Sequence, residues 1–176
     1  LSFSEGWNCS ETKSSTTKFG WDATKIRNFC YHAGKLYCVY DHKNIKVINA
    51  QTGADLGNLN LSSIVTGGTY TLCDVKCLSD GHIVACNLAK SGQELRVYAW
   101  DNDQSAPYLL YSTTNMNGAS RLGDCIEVSG EWLCNLVLTF AFDTGTETDI
   151  LEFKRNCSGN WTTSKTKVTT DGSTQY

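Results

Sequence analysis

The chain has 176 residues, with 15 Lys and Arg against 18 Asp and Glu, a formal net charge of −3, and nine cysteines but only one proline. Its length suffices for one domain with a hydrophobic core, and its interspersed charges argue against nucleic-acid or membrane partners. The longest apolar run, Asn135 to Phe142, is far shorter than the roughly 20 residues that span a bilayer. We therefore expect a mature, soluble chain.

The cysteine content and four N-x-[ST] sequons indicate an oxidising compartment. Cysteine at this frequency is typical of secreted proteins and rare in cytosolic ones. The sequons place acceptor asparagines at Asn8, Asn60, Asn156 and Asn160, each in a segment that we expect to be a loop or an outer strand. Together these features predict a secreted, extracellular glycoprotein that carries covalent N-glycans.

A repeat organises the chain from its first hairpin onward. Three segments each contain an apolar strand, a tight glycine turn and a second apolar strand, which is the pattern of a β-hairpin. Their turn glycines are Gly34, Gly81 and Gly130, at intervals of 47 and 49 residues (81 − 34 and 130 − 81). A third strand, a polar turn and a more hydrophilic fourth strand follow each hairpin. Four antiparallel strands per repeat predict propeller-like blades.

The repeat divides one domain into consecutive segments. In chain order we predict an extended N-terminal segment or outer strand over 1–24, blade 1 over 25–65, blade 2 over 66–114, blade 3 over 115–170 and a C-terminal tail over 171–176. The predicted fold class is all-β, a β-propeller-like array of about three four-stranded antiparallel blades. A β-sandwich is the alternative, although a sandwich does not require the same hairpin three times at near-constant spacing.

Three short motifs carry a family resemblance. They are "TG" at 52–53 after the first hairpin, "NLA" at 87–89 ending the second, and "RLGD" at 121–124 before the third. Roughly residues 20 to 142 resemble an uncharacterised family of secreted bacterial propeller domains, a domain of unknown function. The resemblance implies blades like those of quinoprotein and WD-type propellers, and it implies no activity or cofactor. That family usually has small aliphatic residues where this chain has its hairpin cysteines.

The hairpin cysteines are predicted to form disulfides within each blade. Counting across each turn places two cysteines opposite each other, and Cα atoms about 4.5 Å apart are within disulfide range. The predicted pairs are Cys30–Cys38, Cys77–Cys86 and Cys125–Cys134, with a further pair Cys9–Cys157 where the chain ends meet, and Cys73 is left unpaired. Free buried cysteines are the alternative. We expect no metal, because the strand spacing of about 3.3 Å per residue separates Cys73 from Cys77 too widely.

No pattern selects a catalytic set, so we expect no enzyme activity and no cofactor. His32 and His82 lie at predicted turns and His42 in an inter-strand loop, where histidine is usually solvated. A weaker alternative is a propeller enzyme with a carboxylate site, for which the candidates are Asp74, Asp124 and Glu127.

Aromatic residues leave a carbohydrate-binding or carbohydrate-processing module as the main alternative function. Trp100 and Trp132 lie in predicted strands and are assigned to the core. Trp7, Trp21 and Trp161 lie in edge or terminal segments and are the candidates for stacking on sugars.

Three blades alone would leave apolar faces and strand edges uncovered, because closed propellers have roughly four to eight blades. Either the sequence is part of a longer chain or several copies associate through edge strands and the Ser/Thr-rich terminal segments. Head-to-tail contacts would produce a ring or a filament. The predicted function is therefore a secreted, glycosylated structural or interaction protein that acts as a homo-oligomer by self-association.

Overall fold

A computed structural model of the chain describes residues 21–144 and 147–168. These residues form thirteen β-strands and a single helical turn, Ala23–Lys25. The strands are β1 (Ile26–His32), β2 (Lys35–Tyr40), β3 (Asn44–Asn49), β4 (Asp55–Asn58), β5 (Tyr70–Cys77), β6 (Ile83–Lys90), β7 (Leu95–Trp100), β8 (Tyr108–Thr113), β9 (Arg121–Leu122), β10 (Glu127–Glu131), β11 (Cys134–Asp143), β12 (Thr148–Arg155) and β13 (Trp161–Val168). Within the described ranges, no helix has the length and apolarity that crossing a membrane requires.

The strands form three antiparallel sheets in chain order. The first sheet has the order β1-β2-β3-β4, the second β5-β6-β7-β8 and the third β10-β11-β12-β13. The short strand β9 pairs with the end of β6. Each sheet opens with one of the three hairpins that the sequence predicts, and the predicted all-β fold class with four-stranded antiparallel repeats is confirmed.

The second sheet is buried on both of its faces. Every residue of β6 is buried except Lys90 at its end, so this strand lacks the alternation of apolar and polar residues that a half-exposed strand shows. Alternate residues of the sheet contribute to two separate hydrophobic cores, one shared with the first sheet and one with the third. The core with the first sheet contains Val39, Ile45, Ile83, Ala85 and Trp100, and the core with the third contains Val84, Val97, Leu138, Phe140 and Phe153.

The first strands of the three sheets lie side by side. Strand β1 contacts β5, and β5 contacts β10. The Asn28 side-chain amide donates to the backbone oxygen of Cys73 at 3.2 Å and to that of Asp124 at 3.1 Å. One side chain of the first sheet is thus bonded to both other repeats. Exposure increases toward the last strands, since all of β4 and all of β13 after Trp161 are exposed.

Two of the three short motifs meet where the third repeat contacts the end of β6. The buried Asn87 side chain donates to the backbone oxygen of Glu94 at 3.0 Å and accepts from the backbone N–H of Arg96 at 2.9 Å, which replaces strand pairing at the end of β6. Gly123 has φ of +99°, and a Cβ there would lie 1.9 Å from the backbone oxygen of Asn87. Only glycine permits this close approach.

The structure corrects the predicted disulfides within the hairpins. In the β1–β2 hairpin Cys30 lies opposite Tyr37, and in the β5–β6 hairpin Cys77 lies opposite Ile83. The prediction assumed a two-residue turn at Gly81, whereas the hairpin has the longer connection that Leu78 N–H closes by donating to the backbone oxygen of His82. This shift of register separates Cys77 from Cys86, so that predicted pair is wrong. In the first hairpin His32 lies opposite Lys35, which displaces Cys30 by one residue from Cys38, so the predicted pair Cys30–Cys38 is wrong as well.

The cysteines pair across sheets and around a turn instead. Cys30 and Cys77 form a disulfide between β1 and β5, with Cα atoms 6.0 Å apart. In the third sheet Cys134 pairs with Cys157, in the turn after β12, with Cα atoms 4.1 Å apart.

The predicted pairs Cys125–Cys134 and Cys9–Cys157 are therefore also wrong, because Cys134 and Cys157 are joined to each other; Cys9 itself lies outside the described residues. Cys125 precedes β10, where it is exposed. Cys73 is buried and forms no disulfide with any cysteine in the described ranges.

We predict that the cross-sheet disulfide is a major contribution to stability. Replacing Cys30→Ser and Cys77→Ser together opens a loop with a sequence separation of 47, and loop entropy predicts a loss of about 4 kcal/mol in the free energy of unfolding. Urea denaturation measures the loss. Cys125→Ser is the matched control, because it removes an exposed thiol, and we expect it to change stability by less than about 0.5 kcal/mol. Equal stability of the double variant and the control would contradict this assignment.

Candidate functional site

The outer face of the first sheet, which points away from the second sheet, carries two of the most exposed large apolar side chains among the described residues. Strand pairing places Phe29 opposite Cys38 and Tyr31 opposite Leu36, and Leu36 in turn lies opposite Ile48. Residues directly opposite in an antiparallel pair share a face. This outer face is therefore apolar at these five positions, while on β3 it also carries Lys46, which lies opposite Cys38 and is paired with Asp55 at 2.6 Å.

Among the residues that the structure describes, the cover of the outer face is partial. Trp21 is 3% exposed and packs against Cys38 and Ile48, and its indole N–H donates to the backbone oxygen of Gly53 at 3.3 Å. Phe29 and Tyr31, however, are 61% and 62% exposed. We call these two aromatic side chains and the β1 surface that carries them the Phe29–Tyr31 face.

The third sheet has an outer face of the opposite character. Its strand pairs on that side bring Thr139 next to Glu152 and Ser164, and Val137 next to Lys154. Ion pairs and hydrogen bonds satisfy the charged groups: Lys154 lies 2.8 Å from Glu152, and Ser164 donates to Glu152 at 3.1 Å. A polar outer face is what the last unit of a stacked array needs to remain soluble. The two ends of the array are therefore chemically different.

The Phe29–Tyr31 face was not identified by the sequence analysis. The signal was present, because "NFCYH" at 28–32 alternates in such a way that cysteine faces one side and two aromatic residues face the other. Sequence alone does not show which side is covered by a neighbouring sheet.

Two of the three carboxylates considered for catalysis, Asp74 and Asp124, are occupied by structural contacts. Asp74 is buried, and its two oxygens accept from the backbone N–H groups of Val75 and Ile126, each at 2.8 Å. Asp124 accepts a bidentate contact from Arg121, and this contact holds the pKa of the Asp124 carboxyl below its usual range. Asp124 is therefore ionised at neutral pH and serves poorly as a general acid. Glu127 is exposed on β10.

The three histidines lie at junctions between segments. His82 stacks on Trp132 of the third repeat, with ring centroids 4.0 Å apart, and its Nδ1 lies 3.0 Å from Asp80. His42 stacks on Tyr70 at 3.9 Å. His32 lies at the end of β1, close to Gly81. By ring stacking, His42 thus links the first repeat to the second, and His82 links the second repeat to the third.

The tryptophans predicted to stack on sugars do not form a common surface. Trp21 is buried, so the prediction that it faces outward is wrong; the indole ring covers the apolar face described above. Trp161 is half-buried and packs against Tyr111, with ring centroids 4.7 Å apart. Trp7 lies outside the described residues. The sequence placed these residues in terminal segments, and their position there does not determine exposure.

A separate shallow groove of about 600 Å³ lies between the loop after β4 and the outer edge of the second sheet. Its residues are Ser63, Ile64, Thr66, Glu94, Arg96, Pro107, Tyr108 and Leu109. The Arg96 guanidinium is bonded to Glu94 at 2.6 Å and to the Thr66 hydroxyl at 2.9 Å. The charged groups of the groove, Glu94 and Arg96, are therefore already bonded to each other.

Three of the four predicted glycosylation sites are exposed. Asn60 follows β4, and Asn156 and Asn160 lie in the turn between β12 and β13. Asn8 lies outside the described residues. Glycan attachment at these positions remains a prediction. No group of three or more His, Cys, Asp or Glu side chains in the described part of the chain is arranged to hold a metal ion.

The free thiols of the second sheet have low reactivity. Burial raises the pKa of Cys73, although the neighbouring Arg27 guanidinium opposes that change, and burial raises the pKa of Cys86 well above its usual value. Because the thiolate is the reactive form, neither cysteine is suited to nucleophilic catalysis. The two disulfides favour an oxidising environment.

A tyrosine between the first and second sheets is predicted to make stability fall at alkaline pH. Burial, then the negative charge of Asp103, raises the pKa of Tyr37 from 10.0 to about 12. The folded state thus favours the neutral phenol, so its contribution is complete below pH 10 and is lost as pH rises through 12. We expect wild type to lose up to about 2 kcal/mol more than Tyr37→Phe between about pH 9 and about pH 11.5 in urea denaturation. Equal losses in both proteins would refute this role.

Comparison with known proteins places the chain in a family. Residues 35–160 match the family described as Domain of unknown function (DUF8500). A solved structure, that of a DUF4623 family protein from Bacteroides eggerthii DSM 20697, is similar to the chain with a TM-score of 0.64 at 17% sequence identity. The similarity covers 78% of this chain and 33% of the other, so the chain spans about a third of that protein.

At this level of identity the likeness to the solved structure is one of fold alone. No curated protein matches the chain. The matched residues include all of β2 through β12, and the chain belongs to the DUF8500 family.

Proposed function

We propose that the chain is a secreted, glycosylated structural or interaction protein, without enzyme activity, that acts by self-association. The observation that carries the proposal is the Phe29–Tyr31 face, where two large aromatic side chains are 61% and 62% exposed beside an apolar sheet surface. Exposed apolar patches of this kind are typical of protein–protein contact sites.

Propeller-like packing is part of the proposal. Four antiparallel strands per sheet, arranged from an inner first strand to an exposed last strand, are typical of propeller blades. The side-by-side first strands β1, β5 and β10 support a common axis. A sandwich would explain the face-to-face packing of two sheets, but it does not require the first strand of every sheet to lie at the same junction.

Secretion is supported by the disulfides and the sequons. Two disulfides join elements that are far apart in sequence, and three exposed asparagines lie in acceptor sequons. Disulfides of this kind persist in the extracellular space. N-glycans at Asn156 and Asn160, in the turn between β12 and β13, would keep that part of the third sheet hydrated, which favours association through the first sheet.

The difference between the two end faces favours a particular form of association. A ring or filament needs contacts between the first sheet of one copy and the third sheet of the next. The outer face of the third sheet is occupied by paired charges and hydroxyl groups, which offer little apolar area. Contact between the Phe29–Tyr31 faces of two copies buries four aromatic side chains, and such a contact is a closed, two-fold dimer. We therefore propose the dimer as the first step of assembly.

The association test uses a double substitution on the exposed face. Phe29→Ser with Tyr31→Ser removes the apolar groups that a dimer would bury, and burial of one such side chain contributes roughly 2 kcal/mol. We expect sedimentation velocity to show a dimer for wild type at micromolar concentration, and a dissociation constant of the double variant that is raised at least tenfold, so that the monomer predominates. The measurement is made under oxidising conditions.

Leu133→Ser is the matched control for the double substitution. Leu133 is an isolated apolar residue with 76% exposure in the turn before β11, and we expect its replacement to leave the dimer unchanged. The proposal is refuted if wild type is a monomer throughout the micromolar range. Equal weakening by Leu133→Ser would show that association depends on general surface hydrophobicity and would refute the assignment to the first sheet.

A further inference from the structure

A cluster of three cations lies where the first strands of the sheets begin. Arg27 is on β1, Lys90 ends β6, and Arg121 belongs to β9, which pairs with the end of β6. Asp124 forms ion pairs with both arginines, and Lys90 lies directly across the β6–β9 pair from Arg121. We call these three cations and Asp124 the cationic rim.

Shared contacts with one carboxylate fix the orientation of the two arginines. Arg121 bonds both oxygens of Asp124 at 2.5 Å, through Nε and Nη2. Arg27 Nη2 donates to Asp124 Oδ1 at 3.0 Å. Each guanidinium has five N–H donors in a fixed plane, so both retain donors beyond those that Asp124 uses. The side chains are 43% and 45% exposed, which leaves the remaining donors accessible.

The third cation increases the local excess of positive charge. Lys90 and Arg121 are direct partners across the β6–β9 pair, and like charges directly opposite in a sheet destabilise it. Among the residues that the structure describes, Lys90 has no acidic partner within ion-pair distance. Two arginines therefore share one carboxylate, and an unpaired lysine lies beside one of them, in a chain whose formal net charge is −3. A bound anion would offset this local repulsion.

An exposed aromatic ring lies beside these charges. Tyr70 begins β5 and pairs with Leu88, two residues before Lys90 on β6. Residues two apart on a strand share a face, and so do their cross-strand partners, which places Tyr70 and Arg121 on the same side of the second sheet. The Tyr70 ring is 42% exposed and stacks on His42 with centroids 3.9 Å apart. Stacking on His42 keeps the tyrosine ring in one position.

The rim therefore places exposed cations beside the flat amphipathic ring of Tyr70. We propose that Arg27, Lys90 and Arg121 bind the carboxylate or sulfate group of an acidic oligosaccharide, one sugar ring of which packs on Tyr70. Arginine holds such groups through paired N–H donors, and tyrosine presents an apolar face with a polar edge. The site does not involve the Phe29–Tyr31 face, so it does not rest on the proposed self-association.

A short acidic glycan fits this site better than nucleic acid does. A nucleic acid requires a stripe of cations along its backbone, whereas the described ion pairs neutralise most other lysines. Lys35, Lys46, Lys154, Lys165 and Lys167 are each within 2.8 Å of a carboxylate. Among the described residues only Lys25, Lys90 and Arg155 have no ion-pair partner, so few cations are left uncompensated for contact with a nucleic-acid backbone.

Isothermal titration calorimetry at low and high salt tests the proposal on the full chain. The probes are a heparin octasaccharide, which carries sulfate groups, an oligogalacturonate of the same length, which carries carboxylates only, maltooctaose as the neutral sugar, and a single-stranded DNA oligonucleotide. We expect one or both acidic sugars to bind, with affinity that falls as salt increases, since salt screens charges beyond about 10 Å at 0.1 M. The two acidic arms distinguish sulfate from carboxylate recognition.

Lys90→Gln is the main variant, because it removes a charge without breaking a described ion pair, and it should weaken binding about three- to fivefold. Tyr70→Ala should also weaken it, without changing the salt dependence. Lys167→Gln is the charge-matched control on β13, and we expect a change of less than twofold. The proposal is overturned if neither acidic sugar binds, if maltooctaose binds equally well, if DNA binds more tightly than both acidic sugars, or if Lys90→Gln and Lys167→Gln have equal effects.

Discussion

Burial of the second sheet on both faces is the constraint on which the rest of the structure depends. Its strands carry apolar side chains in both directions, and water must be kept from both. The first and third sheets each cover one side, so each uses one apolar face internally and leaves one face outside. The character of those two outside faces then determines what the molecule can contact. The third sheet closes its end with polar groups, and the first does not.

The second organising feature is the junction of the first strands. Because the three sheets share one strand order and their first strands contact one another, equivalent residues of neighbouring repeats come close at this junction. The disulfide Cys30–Cys77 has a sequence separation of 47, which equals the interval between the first two turn glycines. Asn28 and Gly123 act at the same junction, one by hydrogen bonds to both neighbouring repeats and the other by close backbone approach. The cationic rim lies there as well, so all three repeats contribute to one small region.

Sequence reasoning could predict the sheets but not how they face one another. The glycine interval and the apolar alternation depend on local chemistry, and they correctly gave three hairpins and four strands per repeat. Prediction of the disulfides required the register of each hairpin. The turn of the second hairpin is a few residues longer than assumed, so Cys77 lies opposite Ile83 and not opposite Cys86. The repeat interval indicated the observed pair, because Cys30 and Cys77 occupy equivalent positions in the first and second repeats. Exposure of Phe29 and burial of Trp21 depend on which neighbour covers the first sheet, and that is a property of tertiary packing.

The central functional claim is that the Phe29–Tyr31 face is a contact surface between copies. Hydroxyl-radical footprinting as a function of protein concentration tests it most directly, because it reports the solvent exposure of individual side chains. The account predicts that oxidation of Phe29 and Tyr31 falls as the concentration rises, while oxidation of Leu133 stays constant. Oxidation of Phe29 and Tyr31 that is independent of concentration, in a sample shown to associate, would contradict the account.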